Sequence, residues 1–201
     1  MNIEFNMFNW GPLLTLCKVN NEDFTELKNA CYRANRVHIT DITKLKKENI
    51  FTENDTEYFK NVLQKYFDGY MGVYNNYWSE NKFSRRLTLK TIWVNFQQER
   101  EFRPPHVHHN CDASFVIYID MPDVIKSEHR DDVADDLQPG NITFQLSERP
   151  GRSDLIPNIC QVTKFPTAGD MYIFPYNLEH FTMPFKSDVS RISVSGNLVF
   201  E

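Results

Sequence analysis

The segment Pro104–Tyr118, PPHVHHNCDASFVIY, joins a cluster of histidines directly to an apolar run. His106 and His108 are two residues apart, so in an extended chain their side chains point to the same side. Two imidazoles on one side of a strand end can bind iron, zinc, copper or nickel. The run Ala113–Ile119 is rich in strand-forming residues and predicts a buried strand. The segment therefore predicts a metal site at the mouth of a β-structure, with a third ligand from elsewhere in the chain.

Sequence on both sides of this segment shows the two-residue period of β-strands. The stretch Leu87–Phe96, just before the histidines, predicts the first long strand. Further strands, separated by turns, are predicted at Asn141–Leu146, Ile159–Phe165, Met171–Phe174 and Arg191–Ser195. At least six strands in this order predict an antiparallel sandwich or barrel.

The first part of the chain instead shows helical spacing of its apolar residues. A helix of about three turns is predicted to start near Asn20 and to continue to Ala34. A capping box at Thr52 opens the clearest helical pattern, which continues to Trp78. Because these helices precede the run of strands, the fold class is predicted to be α+β.

Three other segments have weaker patterns. Met1–Val19 predicts one or two short strands at a sheet edge, because Pro12 bars a helix there. The polar stretch Asn35–Glu53 predicts a loop with a short helix. The highly charged stretch Met121–Asp136 predicts a solvated loop or, alternatively, a flap over a pocket.

Length and composition limit the classes of function. A chain of 201 residues with 16 Phe, 9 Tyr and 3 Trp suits one domain with a substantial core. A net charge of −5 gives no general attraction to nucleic acid or anionic membranes. No apolar stretch approaches the ~18 residues that span a bilayer. Four cysteines without CxxC spacing and no visible signal peptide predict reduced thiols in a cytoplasmic protein.

The candidate third ligand is His180, close behind a predicted strand. Eleven residues later, Arg191 and Ser193 are two apart on a predicted strand and share one face. A guanidinium binds a carboxylate through two parallel hydrogen bonds, and a nearby hydroxyl can add another. A metal site followed by this pair predicts a small carboxylate cosubstrate that chelates the metal.

This arrangement resembles the Fe(II)/2-oxoglutarate-dependent dioxygenases, which carry an H-x-D/E motif, a distal histidine and an R-x-S motif on a double-stranded β-helix. The ordered set of motifs is similar to one branch, the 2-oxoglutarate–Fe(II) oxygenases of marine tailed bacteriophages. It comprises Trp93-Val94-Asn95, His106-x-His108, Ser114, Tyr118, Gly169-Asp170, Phe174-Pro175, His180 and Arg191-Ile192-Ser193. The resemblance implies a jelly-roll or cupin-like β-helix domain over residues 86–201. Residues 1–85 would form a helical extension packed on it, rather than an independent domain.

The resemblance also implies roles for individual residues. The implied Fe(II) ligands are His106, His108 and His180. The residues implied to bind 2-oxoglutarate or line its pocket are Arg191, Ser193, Tyr118 and Asn95, with Trp93 as the alternative to Asn95. The implied reaction consumes O₂ and 2-oxoglutarate, yields succinate and CO₂, and hydroxylates a C–H bond of a substrate that the sequence does not identify.

One position departs from the family pattern. The usual ligand set is two histidines and one carboxylate, but His108 stands where H-x-D would place an aspartate. Asp112 is the alternative ligand if the chain bulges at the entry to the strand. A cupin-like dioxygenase with three histidines and no 2-oxo acid is another interpretation of the same ligands.

A further alternative belongs to a different class of protein. The same β-helix could serve as a non-catalytic structural or attachment component of a virus particle, and His108 in place of aspartate favours this interpretation. That protein would be virion-associated and assembled, whereas the enzyme would lie in the cytoplasm, the host's if the chain is viral. Homo-oligomers are compatible with either.

Overall fold

Two antiparallel sheets and four α-helices form the part of the chain that the computed structural model describes, residues 11–36, 48–77, 84–146 and 161–201. The helices are α1 (Asn21–Arg33), α2 (Glu53–Val62), α3 (Gln64–Tyr77) and α4 (Asp123–Lys126). The strands are β1 (Thr15–Lys18), β2 (Asn35–Arg36), β3 (Glu48–Ile50), β4 (Leu87–Gln97), β5 (Arg103–His106), β6 (Ala113–Asp120), β7 (Ile142–Gln145), β8 (Gln161–Lys164), β9 (Asp170–Pro175), β10 (Glu179–Thr182) and β11 (Arg191–Phe200).

The larger sheet has the strand order β1-β9-β6-β11-β4-β3-β2, and the smaller sheet has the order β5-β10-β7-β8. Some strands that are neighbours in the sheet are far apart in the sequence. For example, β4 and β11 pair along their whole length. This alternation of segments between two antiparallel sheets is the double-stranded β-helix. The predicted α+β class and the β-helix core are confirmed.

Strand β6 is buried on both faces, which explains its uninterrupted apolar sequence. On one face it packs with the helices, where the rings of Phe67 in α3 and Phe115 lie 5.4 Å apart between centroids. On the other face, Val116 and Tyr118 pack with Phe144 of the smaller sheet. The prediction of N-terminal helices packed on a sheet is thus confirmed, while the domain boundary at residue 85 stays a prediction.

Both predicted helix starts have the expected caps. The side chain of Asn20 accepts a hydrogen bond from the backbone N–H of Asp23 at 2.9 Å, and Thr52 accepts one from Asp55 at 3.1 Å. These bonds satisfy N–H groups that have no partner within the first turn. The second predicted helix differs in one respect, because it is divided at Leu63 into α2 and α3.

The edges of the larger sheet agree only in part with the sequence analysis. Strand β1 pairs with β9, so the predicted edge strand within Met1–Val19 is confirmed in its described part. The prediction of a loop with a short helix over Asn35–Glu53 is wrong where the structure describes it. Both β2 and β3 are strands there, because the open edge of β4 offers backbone groups for β3 to pair with. Residues 37–47 lie outside the described ranges.

The charged stretch Met121–Asp136 has local structure and tertiary contacts. It contains α4 and the start of a 3₁₀ turn at Asp135–Leu137. The carboxylate of Glu128 accepts hydrogen bonds from the backbone N–H groups of Lys186 and Ser187, both at 2.8 Å. The stretch is therefore bound to the loop before β11, and its role as a flap stays a prediction.

A helix that crosses a bilayer has to be long and predominantly apolar. None of the helices within residues 11–36, 48–77, 84–146 and 161–201 meets that requirement.

Candidate metal centre

Three histidines from two segments of the chain meet between the sheets. His106 ends β5 and lies directly opposite His180 of β10 in the register of the smaller sheet. His108 follows β5, and its Nε2 lies 3.3 Å from Nε2 of His180. One nitrogen of each ring lies within 4.8 Å of the others. The structure thus brings together the three residues that the sequence analysis proposed as ligands.

Backbone carbonyls fix which nitrogen of two of these rings carries a proton. Nδ1 of His106 lies 2.7 Å from the carbonyl oxygen of Pro104, and Nδ1 of His180 lies 3.0 Å from that of Leu178. A carbonyl oxygen only accepts, so both Nδ1 atoms donate and both Nε2 atoms keep a lone pair. Metal-binding histidines are oriented in the same way, with the outer nitrogen donating to a backbone carbonyl or carboxylate.

The three rings are neutral at physiological pH. Burial lowers the pKa of His106 and of His108 to about 4, and the positive charge of Arg103 lowers both further. Burial also lowers the pKa of His180 well below its ordinary value. Because imidazole binds a metal through a neutral nitrogen, these rings need not lose protons to act as ligands at neutral pH.

The donor set fits a divalent transition metal. Imidazole nitrogens suit iron, zinc, copper and nickel, and three converging lone pairs on one side leave the opposite side of an ion open. Asp112, the alternative ligand, lies elsewhere: it is exposed, and its Oδ2 accepts a hydrogen bond from the backbone N–H of Phe200 at 2.8 Å. Among the described residues, the group that could hold a metal is His106, His108 and His180.

A cavity of about 60 Å³ adjoins the histidines. Its walls come from both sheets, and the described residues that line it include Arg103 and Arg191 but no aspartate or glutamate. Apolar side chains such as Phe174 and Ile142 line it as well. The cavity therefore joins the histidine cluster to the buried positive charge of Arg191.

Arg191 is the unusual group in this cavity. Its side chain is almost completely buried, at 3% exposure. It donates from Nη1 to the carbonyl oxygen of Gly140 at 2.8 Å and from Nη2 to the amide oxygen of Gln97. Its guanidinium also lies 5.5 Å from the ring centre of Tyr118, and its Nε finds no hydrogen-bond partner among the described residues. Burial lowers the pKa of Arg191, yet an arginine stays protonated at neutral pH.

The contacts of Arg191 are with neutral groups. No ion pair of Arg191 with a carboxylate occurs among the residues that the structure describes. A buried charge without an opposite charge is unfavourable by several kcal/mol in typical cases. The arrangement therefore favours the binding of an anion beside Arg191.

The other predicted cosubstrate residues line the same cavity. Ser193 shares a face with Arg191, as predicted, and its backbone is opposite Asn95 in β4 and Tyr118 in β6. Burial raises the pKa of Tyr118 to about 12, so its hydroxyl keeps its proton. Asn95 donates to the hydroxyl of Ser195 at 3.1 Å, and Trp93 lines the cavity beside His108.

Two residues with contacts to this site were not singled out in the sequence. Gln97 and Gly140 both bond to Arg191, although they lie 94 and 51 residues from it in the chain. Glutamine at a strand end and glycine after proline are common features without chemical meaning of their own. No signal in the sequence distinguished them, because their importance comes from what they face.

Comparison with known proteins gives one family match. A family model described as "Putative 2OG-Fe(II) oxygenase" matches residues 91–197, which is just over half of the chain. This match contains all three histidines and Arg191. No curated protein sequence gives a significant match.

Several solved structures have the same fold. An oxidoreductase of the 2OG-Fe(II) oxygenase family from Burkholderia pseudomallei has a TM-score of 0.61 at 9% identity, covering 92% of this chain and 84% of that one. A prolyl hydroxylase from Trichoplax adhaerens, in complex with a peptide fragment, has a TM-score of 0.58 at 10% identity, with 93% and 82% covered. A Pseudomonas putida prolyl-4-hydroxylase has a TM-score of 0.50 at 15% identity, with 94% and 92% covered. At these identities the similarity establishes the fold alone.

Proposed function

The chain belongs to the 2OG-Fe(II) oxygenase family whose model covers residues 91–197, and we propose that it is a non-haem Fe(II)/2-oxoglutarate-dependent dioxygenase that hydroxylates an organic substrate. The observation that carries the proposal is a buried guanidinium, without a carboxylate partner among the described residues, in the same cavity as three convergent imidazoles. The first group suits a distal carboxylate, and the second suits the metal that a 2-oxo acid chelates.

In this proposal, His106, His108 and His180 hold Fe(II) through their Nε2 atoms. Bound Fe(II) would supply the site that chelates the 2-oxo acid and the reductive activation of O₂, in a hydroxylation that releases succinate and CO₂. The hydrogen bonds of His106 and His180 to backbone carbonyls keep both rings oriented before the metal arrives, so little order has to be created on binding.

Arg191 binds the distal carboxylate of 2-oxoglutarate in this proposal. Its charge is already desolvated, so the carboxylate meets it in surroundings where ionic hydrogen bonds are stronger than in water. Ser193 and the protonated hydroxyl of Tyr118 are the neighbouring donors for the same carboxylate.

Charge counting shows how a three-histidine site would differ from a site with an aspartate ligand. Three neutral ligands leave the full charge of a divalent ion, of which the chelating carboxylate of a 2-oxo acid neutralises one unit. The distal carboxylate is neutralised by Arg191. The site keeps one positive charge more than a site with an aspartate ligand, so we expect its metal to be a weaker reductant.

The test is a turnover assay with purified protein, Fe(II), 2-oxoglutarate and air, in which succinate is measured. Succinate formation that depends on both Fe(II) and 2-oxoglutarate would support the proposal. A protein that takes up no metal and forms no succinate would contradict it, and recovery of such a protein in an assembled particle would favour the structural alternative.

A second measurement distinguishes the cupin-like alternative from the proposed 2-oxoglutarate-dependent enzyme. If the three histidines hold a metal that acts without a 2-oxo acid, then Arg191→Ala should leave metal-dependent activity intact. Under the present proposal the same substitution removes binding of 2-oxoglutarate while metal binding persists.

A further inference from the structure

Gln97 has an unusual position at the end of β4. It is directly opposite Arg191 in the register between β4 and β11. Its side chain is buried, at 1% exposure. A polar side chain that is removed from water must find hydrogen-bond partners within the protein, and those of Gln97 determine how it faces Arg191.

The hydrogen bonds that Nε2 of Gln97 donates determine the orientation of its amide group. Nε2 donates to the carbonyl oxygen of Glu101 at 2.6 Å and to that of Met183 at 3.3 Å. Carbonyl oxygens only accept, so the nitrogen must face them and the amide oxygen must face the opposite way. Oε1 consequently accepts from Nη2 of Arg191, and from the hydroxyl of Thr182 at 3.4 Å.

This arrangement holds the guanidinium without neutralising it. A glutamate at the same place would accept the same hydrogen bond but would also form an ion pair with Arg191. An arginine already paired with a buried carboxylate has much less attraction for a second one. The neutral amide instead fixes the direction of the guanidinium and leaves its charge for a ligand.

We propose that Gln97 is a positioning residue that makes the cavity select a 2-oxo acid with a second carboxylate over 2-oxo acids that lack one. The inference rests on the proposed function, because it assigns the distal carboxylate to Arg191. It adds that selectivity depends on an uncharged partner for that arginine. Gln97 is not among the described residues that line the cavity, so in this scheme it acts on the cosubstrate through Arg191.

The experiment compares two cosubstrates on the same protein. Protein loaded with Ni(II), which does not support turnover, is titrated with 2-oxoglutarate and with 2-oxobutyrate, which lacks the distal carboxylate. We expect the wild type to prefer 2-oxoglutarate by about 100-fold, and Gln97→Glu to reduce this preference by about tenfold or more. Affinity for 2-oxobutyrate should stay within about threefold, because the metal end is unchanged.

A purely structural role gives a different result. If Gln97→Glu only loosened the fold, both ligands would lose affinity in proportion and the preference would persist, which would overturn the proposal. Gln97→Met supplies a second measurement, since it removes the hydrogen bonds but adds no charge. It should keep more of the preference than Gln97→Glu, and the reverse order would also overturn the proposal.

Gln138→Glu is the matched control. Gln138 is also buried, and its Nε2 also donates to two backbone carbonyls, those of Arg130 at 2.6 Å and Val133 at 2.7 Å. Its Oε1 accepts from a backbone N–H rather than from a guanidinium. We expect this variant to lose stability without losing the preference. A wild type with no preference for 2-oxoglutarate would instead contradict the proposed function itself.

Discussion

Nε2 of His108 lies 3.3 Å from Nε2 of His180, although the two residues are 72 positions apart in the chain. Their rings are nearly parallel, with 5° between the planes. The distance is the consequence of strand pairing in the smaller sheet, where β10 places His180 opposite His106. A metal bound here would link His106 and His108 to His180, in the last third of the chain.

The first expected result concerns metal binding. His180→Ala removes one of three converging lone pairs, so we expect the affinity for Co(II) or Fe(II) to fall by more than about 100-fold. His109→Ala is the control, because His109 is exposed and outside the group that could hold a metal. Titration followed by Co(II) absorption measures both variants. Equal affinities in His180→Ala and the wild type would contradict the assignment.

The second expected result concerns Arg191. Arg191→Met keeps the length of the side chain but removes its charge, so the variant should bind metal normally and bind 2-oxoglutarate about 100-fold more weakly. Thermal unfolding provides the measurement. A ligand present at 100 times its Kd stabilises the native state by about 2.7 kcal/mol, so 2-oxoglutarate should raise the Tm of the metal-loaded wild type. An equal rise in Arg191→Met would count against a role in cosubstrate binding.

The third expected result is a pH dependence of stability at Glu128. Partial burial raises the pKa of this carboxyl, but the hydrogen bonds from Ser187 and Lys186 outweigh it, and the pKa is lower than its ordinary value of 4.5. A lowered folded pKa gives stability that is present above the ordinary value. That stability is lost as the pH falls through the lowered value.

Glu128→Gln should therefore be less stable than the wild type at pH 7, by about 1 kcal/mol. The difference should shrink below pH 4.5, the ordinary value, when the wild-type carboxylate becomes protonated. Urea unfolding at pH 7 and again below pH 4.5 measures the difference in the free energy of unfolding. Glu57→Gln, at an exposed position of α2, should show no comparable change. A difference that stays constant with pH would mean that the carboxylate charge is not involved.

The fourth expected result concerns close packing at Gly196 in β11. A Cβ at this position would lie 2.5 Å from Cε1 of Phe115 and 2.6 Å from the carbonyl oxygen of Thr91. Phe115 is itself buried, at 1% exposure, and its ring packs against that of Phe67 in α3. We expect Gly196→Ala to lower the free energy of unfolding by about 1 to 3 kcal/mol or more.

Gly69 in α3 provides the matched comparison. A Cβ there would meet no atom within 4 Å, so Gly69→Ala should raise the free energy of unfolding by about 0.5 to 1 kcal/mol. Urea unfolding of the two variants should give opposite signs. A stabilising Gly196→Ala would show that the Phe115 ring can shift to make room for a methyl group.

Local features of the fold were predictable from the sequence. The caps at Asn20 and Thr52 depend on bonds within one helical turn, and the strand character of β6 depends on its own apolar residues. The shared faces of His106 with His108, and of Arg191 with Ser193, follow from the two-residue period of extended chain. Such features are visible because the interacting groups are a few residues apart.

Tertiary structure decided the rest of the site. Register between strands placed His180 rather than Asp112 beside the paired histidines, and it placed Gln97 opposite Arg191. It also decided that β2 and β3 are strands, because the edge of β4 supplied their hydrogen bonds. The physical reason is that side-chain period and capping act over a few residues, whereas ligand sets and buried charge depend on which distant strands pair and in which register.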